Sequence, residues 1–121
     1  MNLKEIPQIE GFDFKYAMDI FQDEGILKII LIEFHDSLDE LCEKLNSLFN
    51  AIGEEGNLAL YRMEVHALKS TSASVGALQM SEQAKQLEMA AADGDMEFIS
   101  THHAALIENI AVHKERMAVI I

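Results

Sequence analysis

The chain has 121 residues, 50% of them hydrophobic, and sets 21 Asp and Glu against nine Lys and Arg, for a formal net charge of −12. That length predicts one domain, 1–121, able to bury a core without disulfides or metal staples. The charge argues against nucleic acid or an anionic membrane as partner, because both repel an acidic surface.

One Pro and six Gly, in a chain rich in Leu, Ile, Ala, Glu and Met, point to helix. Cys42 is the single cysteine. It has no internal disulfide partner and reads as a small apolar side chain in a reducing compartment. The apolar run Ile29–Ile32 is closed by Lys28 and Glu33, far short of a membrane span. Glu5, Pro7 and Glu10 stand where a secretory leader would be basic, then apolar. A cytoplasmic location is expected.

Residues 1–11, with Pro7 and Gly11, read as a loosely held lead-in. Asp13 is placed to cap a short helix through Phe21, with a stripe of Phe14, Ala17, Ile20 and Phe21. Asp23 caps a second helix of roughly 40 Å, whose heptad seam is Leu27, Leu31, Phe34, Leu38, Leu41, Leu45, Leu48 and Ile52. Gly53 and Gly56 mark its stop, and Asn57 caps a third helix ending near Gly76. A fourth, from about Gln79, carries Met80, Ala84, Leu87 and Ala91. Asp93-Gly94-Asp95 breaks it, and Asp95 caps a fifth carrying Ile99, His103, Leu106, Ile110, His113, Met117 and Ile120. No strand-like alternation or internal repeat interrupts this pattern. The fold class is all-α: an antiparallel up-down-up-down four-helix bundle with a short extra N-terminal helix at one end. The start of the second helix, Ile26–Ile32, is apolar nearly all round. Either the short helix covers it, or part stays exposed as a docking patch.

The third helix organises the chain. Its seam is Leu58, Tyr61, Val65, Leu68, Ser72 and Val75. His66 stands one residue off that seam, turned about 100° from the core. Arg62, Lys69 and Ala73 share its face. Ser70, Ala73, Ser74, Gly76 and Ala77 leave room for another surface to approach, and Gly76 also ends the helix.

At these residues the chain resembles the histidine-containing phosphotransfer (HPt) domains of phosphorelays. That pattern is His, any residue, Leu, Lys, a small residue, further small residues, Gly ten after the His, and a later Leu-Glu or Leu-Gln pair. The matches are His66, Leu68, Lys69, Gly76 and Leu87-Glu88; the departure is Ser70, where Gly is commonest. The segment Ile6–Asp13 resembles the lead-in of HPt domains at the C-terminus of hybrid sensor kinases. Both a free-standing carrier and such an excised domain therefore stay open.

The resemblance implies a phosphocarrier without kinase activity of its own. A neutral imidazole is a nucleophile for phosphoryl groups near neutral pH. His66 would take the group from a receiver-domain aspartate and pass it to another receiver, with Lys69, helped by Arg62, offsetting the phosphate charge. Glu88 would orient the ring, Nδ1 carrying the hydrogen and Nε2 the phosphate. Ser70, Ala73, Ser74 and Gly76, with Arg62, would form the receiver-docking face. Partners would be response-regulator receivers and a sensor histidine kinase; the protein would be a monomer and hold no cofactor, Mg²⁺ coming with the receiver. The chain has no Gly-rich phosphate loop of its own.

Two alternatives stand beside this. A purely structural adaptor bundle would make the motif coincidental. A metal-binding bundle is suggested by His35, His102, His103 and His113. It would need a Glu three before each His, and none of the five histidines has one. His103 and His113 fall on seam positions, where a hydrogen-bonded core histidine is the expected role.

Overall fold

The structure, a computed structural model, describes residues 8–121. Five helices follow in order: α1 (Phe14–Phe21), α2 (Glu24–Asn50), α3 (Asn57–Ser74), α4 (Leu78–Asp93) and α5 (Met96–Arg116), closed by a 3₁₀ turn at Met117–Val119. The described residues contain no strand. The architecture is the all-α four-helix bundle, α2 to α5, with the short α1 laid against α2 and α3.

Local chemistry fixes the helix starts. Carboxylate oxygens of Asp13, Asp23 and Asp95 accept from the N–H of Tyr16 (3.0 Å), Ile26 (2.9 Å) and Phe98 (3.1 Å). Each satisfies one donor that the first helical turn leaves unpaired. The start of α3 differs from expectation by one residue. Gly56, at φ +86°, precedes the helix and Asn57 is its first residue. The Asn57 amide instead donates back across the turn to the Ala51 carbonyl at 2.8 Å. The turn uses that side chain to tie off the end of α2, so it is not available as a cap. α2 correspondingly stops at Asn50, short of Gly53.

The seams converge on one core. Leu27, Leu31, Phe34, Leu38 and Leu45 of α2 are buried with Tyr61, Val65 and Leu68 of α3, Met80, Ala84 and Leu87 of α4, and Ile99, Leu106 and Ile110 of α5. Each large apolar side chain removed from water contributes about 1.5–3 kcal/mol before entropy is charged against it. Leu41, Leu48 and Ile52 are only half-buried at the flank of that core. α3 and α4 pack more intimately than any other pair. Small buried side chains, Ser72 on α3 and Ala84, Ala90 and Ala91 on α4, let their backbones come close. The Ser72 hydroxyl donates to the Leu68 carbonyl, so its burial leaves no polar group unpaired.

At the N-terminal end one expectation changes and one open alternative is decided. Residues 1–7 of the expected lead-in lie outside the described residues, but 8–11 are not loose. Ile9 is buried in the core, the Glu10 carbonyl accepts from Arg116, and the Gly11 carbonyl lies 3.3 Å from His113 Nε2. Apolar burial of Ile9 and Phe12 anchors this stretch. At the start of α2, the side chain of Leu27 is enclosed, while Ile26 and Ile29 remain 48% and 58% exposed. An eight-residue helix covers only one side of that apolar turn. Among the described residues no helix is long and apolar enough to cross a membrane.

Candidate functional site

Burial of Val65 and Leu68 fixes the rotation of α3 and thereby turns His66 outward. Its side chain is 62% exposed, standing mid-helix rather than on a loop. Leu87, buried on α4, does the same for its neighbour Glu88 and aims that carboxylate across the α3–α4 seam. His66 Nδ1 lies 2.9 Å from one Glu88 oxygen and 3.0 Å from the other. Lys69, one turn further along α3, brings Nζ to 3.0 Å from Glu88 Oε2. Ser81 braces the same seam, its hydroxyl donating to the Lys69 carbonyl at 2.8 Å.

These contacts determine the electrostatics. The hydrogen bond from His66 lowers the Glu88 carboxyl below its ordinary value; partial burial opposes that and the bond from Lys69 adds to it. An ionised carboxylate only accepts hydrogen bonds. Nδ1 must therefore carry the hydrogen and donate, which leaves the lone pair of the neutral ring on Nε2. A nitrogen nucleophile thus stands at the surface, with an ammonium group one turn away.

The other expected site residues separate into two groups. Arg62 is exposed one turn before His66 and Ser70 exposed one turn after it, both on the face of the ring. Ala73 is half-buried on the same line. Ser74 and Gly76 are not on that face. Ser74 lines a cleft with Phe21, Ile30 and Phe34, toward α1 and α2, and its hydroxyl donates to the Thr71 carbonyl. Gly76 is buried and has φ +82°. It does end the helix, but it faces inward as α3 gives way to α4. Asp13 N–H donates to its carbonyl at 2.8 Å, and a Cβ added there would strike the Asp13 backbone carbonyl. The close approach that requires glycine is made by the chain's own α1 joint, so Gly76 does not belong to the face around His66.

Sequence reasoning missed two features. One is the Lys69–Glu88 ion pair; Lys69 lies three after His66, on the edge that meets α4. The other is an open groove of about 780 Å³ beside the ring, lined by Ala59, Arg62, Met63, His66, Glu88 and Ala91 among others. Ala59 and Met63 lie seven and three before His66, and Ala91 three after Glu88. Their helical phase was the available signal.

The remaining histidines bind protein groups. His103 is buried between the Tyr61 hydroxyl and Asn46 Oδ1, each at 2.8 Å. His113, also buried, contacts the carbonyls of Asn109 and Gly11. His35 meets Asp36, and His102 lies against Phe98. Among the described residues, no group of three His, Cys, Asp or Glu side chains is arranged to hold a metal ion.

No curated protein and no solved structure matches the chain. The family model described as Hpt domain matches residues 29–114. That span takes in every residue of the site just described.

Proposed function

The chain belongs to the Hpt domain family, whose members serve histidine phosphotransfer in two-component signalling, and we propose that His66 is its phosphoacceptor. The observation that carries this reading is the pairing of an exposed imidazole with a carboxylate on the next helix. Nδ1–H is committed to Glu88, so Nε2 attacks the phosphorus of a receiver's aspartyl phosphate. The P–O bond to that aspartate breaks, and the electron pair stays on the departing carboxylate. Lys69 leaves its contact with Glu88 to meet the phosphoryl oxygens, and Arg62 meets them from the other side of the ring. Ser70 and Ala73 let the receiver's surface close over the ring. The reverse sequence delivers the group to a second receiver.

In this scheme the protein is a carrier. The sensor kinase supplies the phosphoryl group in the first place, and the receivers bring the Mg²⁺. The carrier acts in the cytoplasm as a monomer, either by itself or as the last domain of a hybrid kinase. Incubation with a phosphorylated receiver domain tests it. An acid-labile, base-stable label should appear on His66. His66→Gln should abolish the label while leaving helicity intact, and a label retained in that variant would refute the assignment.

A further inference from the structure

We infer that the negative charge of Glu88 sets how readily phosphorylated His66 gives up its phosphoryl group, by holding a proton on Nδ1 of the modified ring. The inference rests on the reading of His66 as acceptor. When Nε2 bonds to phosphorus, the ring keeps its Nδ1 hydrogen and becomes a phosphoimidazolium cation. When the group leaves, the Nε2–P bond breaks, its electron pair returns to Nε2, and a neutral imidazole departs. No proton has to move in either direction. A ring that has lost its Nδ1 proton would instead depart as an imidazolate anion, a far poorer leaving group. The phosphoryl group is therefore mobile only while Nδ1 stays protonated.

The structure surrounds that proton asymmetrically. From α3, Arg62 lines the groove with His66 and Lys69 meets the same carboxylate, and both cations disfavour a cationic imidazole. From α4, Glu88 is the only carboxylate among the residues lining the groove. It meets Nδ1 with both oxygens, at 2.9 and 3.0 Å. Its own side chain is 17% exposed and that of His66 62%. A glutamine there would accept the same hydrogen bond and hold the ring in the same place, but would carry no charge. Orientation needs only an acceptor oxygen; retention of the proton needs the charge. The Lys69 contact sharpens the difference. A phosphoryl group on Nε2 competes for Lys69, and as that ammonium leaves, the carboxylate's charge acts on the ring alone.

Chemical phosphorylation with phosphoramidate, which needs no receiver, provides the test. Loss of the phosphohistidine ³¹P signal is followed from pH 6 to pH 9 in the wild-type protein and in Glu88→Gln. An opposite charge in contact favours the charged form of a titratable group, and each pKa unit is about tenfold. The two proteins should lose phosphate alike near pH 6, where solvent supplies the proton. At pH 8 Glu88→Gln should be about tenfold slower, and its transfer to a receiver should slow in step. Identical pH profiles, or a loss slowed equally at every pH as from a misplaced ring, would overturn the inference. If the profiles differ as expected but no receiver accepts the group, the relay reading fails and this inference stands. If receivers are served equally by both proteins at pH 8, the inference fails and the relay reading stands.

Discussion

The Tyr61 hydroxyl and His103 Nδ1 meet at 2.8 Å inside the bundle, joining α3 to α5 across 42 residues of sequence. Asn46 Oδ1 accepts from the other ring nitrogen, so Nδ1 is the lone-pair nitrogen and Tyr61 the donor. Phe49 stacks flat on the ring, 4.1 Å away. The chain of donors closes only with a neutral imidazole.

Stability should therefore fall in acid. Burial pushes His103 below its ordinary value, so the unfolded chain takes up a proton that the folded chain refuses. The folded state then loses ground as pH drops from about 6.5 toward the lower folded value, by at most about 1.4 kcal/mol per pH unit. Urea unfolding between pH 7.5 and pH 5.5 measures this. His103→Gln should flatten that part of the profile; an unchanged slope would mean that His103 is not its source.

Leu68 sits two residues from His66 and is fully enclosed. Leu68→Ala should cost about 2–5 kcal/mol through lost burial and the cavity left behind. A surface-like cost, under about 0.5 kcal/mol, would mean that α3 is rotated from the phase that turns His66 outward.

Lys69→Ala should separate chemistry from folding. Its pair with Glu88 lies near the surface, where such pairs contribute about 0–1 kcal/mol, so the melting temperature should barely move. Phosphoryl transfer should slow by about tenfold or more once the developing charge loses its ammonium partner. Unaltered transfer rates would remove Lys69 from the mechanism.

Gly76→Ala should destabilise the fold while leaving residual activity in whatever remains folded. A left-handed backbone costs a non-glycine residue about 1–2 kcal/mol, and here the new methyl would also strike the Asp13 backbone. Thermal unfolding reads the first effect and specific activity per folded molecule the second. A well-folded variant that no receiver could approach would return Gly76 to the docking face.

Periodicity made much of this legible. The seams of α2 to α5 follow from spacings of three and four, and Asp13, Asp23 and Asp95 announce the helix starts by side-chain chemistry alone. The meeting of His66 with Glu88 was accessible because each follows a buried seam residue, Val65 and Leu87. What escaped was contact between distant segments. Gly76 fits a small-residue run beside the histidine, and only the path of the chain brings Asp13 onto it, 63 positions earlier. Ile9 is an ordinary apolar residue between Gln8 and Glu10, and only packing against the bundle buries it. The Lys69–Glu88 bond depends on how far two long side chains reach, which helical phase does not specify.

An imidazole carried in the middle of a well-packed rod has consequences for speed. In the proposed phosphotransfer His66 is in position before its partner arrives, because Val65, Leu68 and Leu87 hold it there. Turnover by such a part is then governed by how often the right protein collides with it and how long it lingers. Viscosity and ionic strength should change its throughput more than temperature-dependent rearrangement of the bundle does.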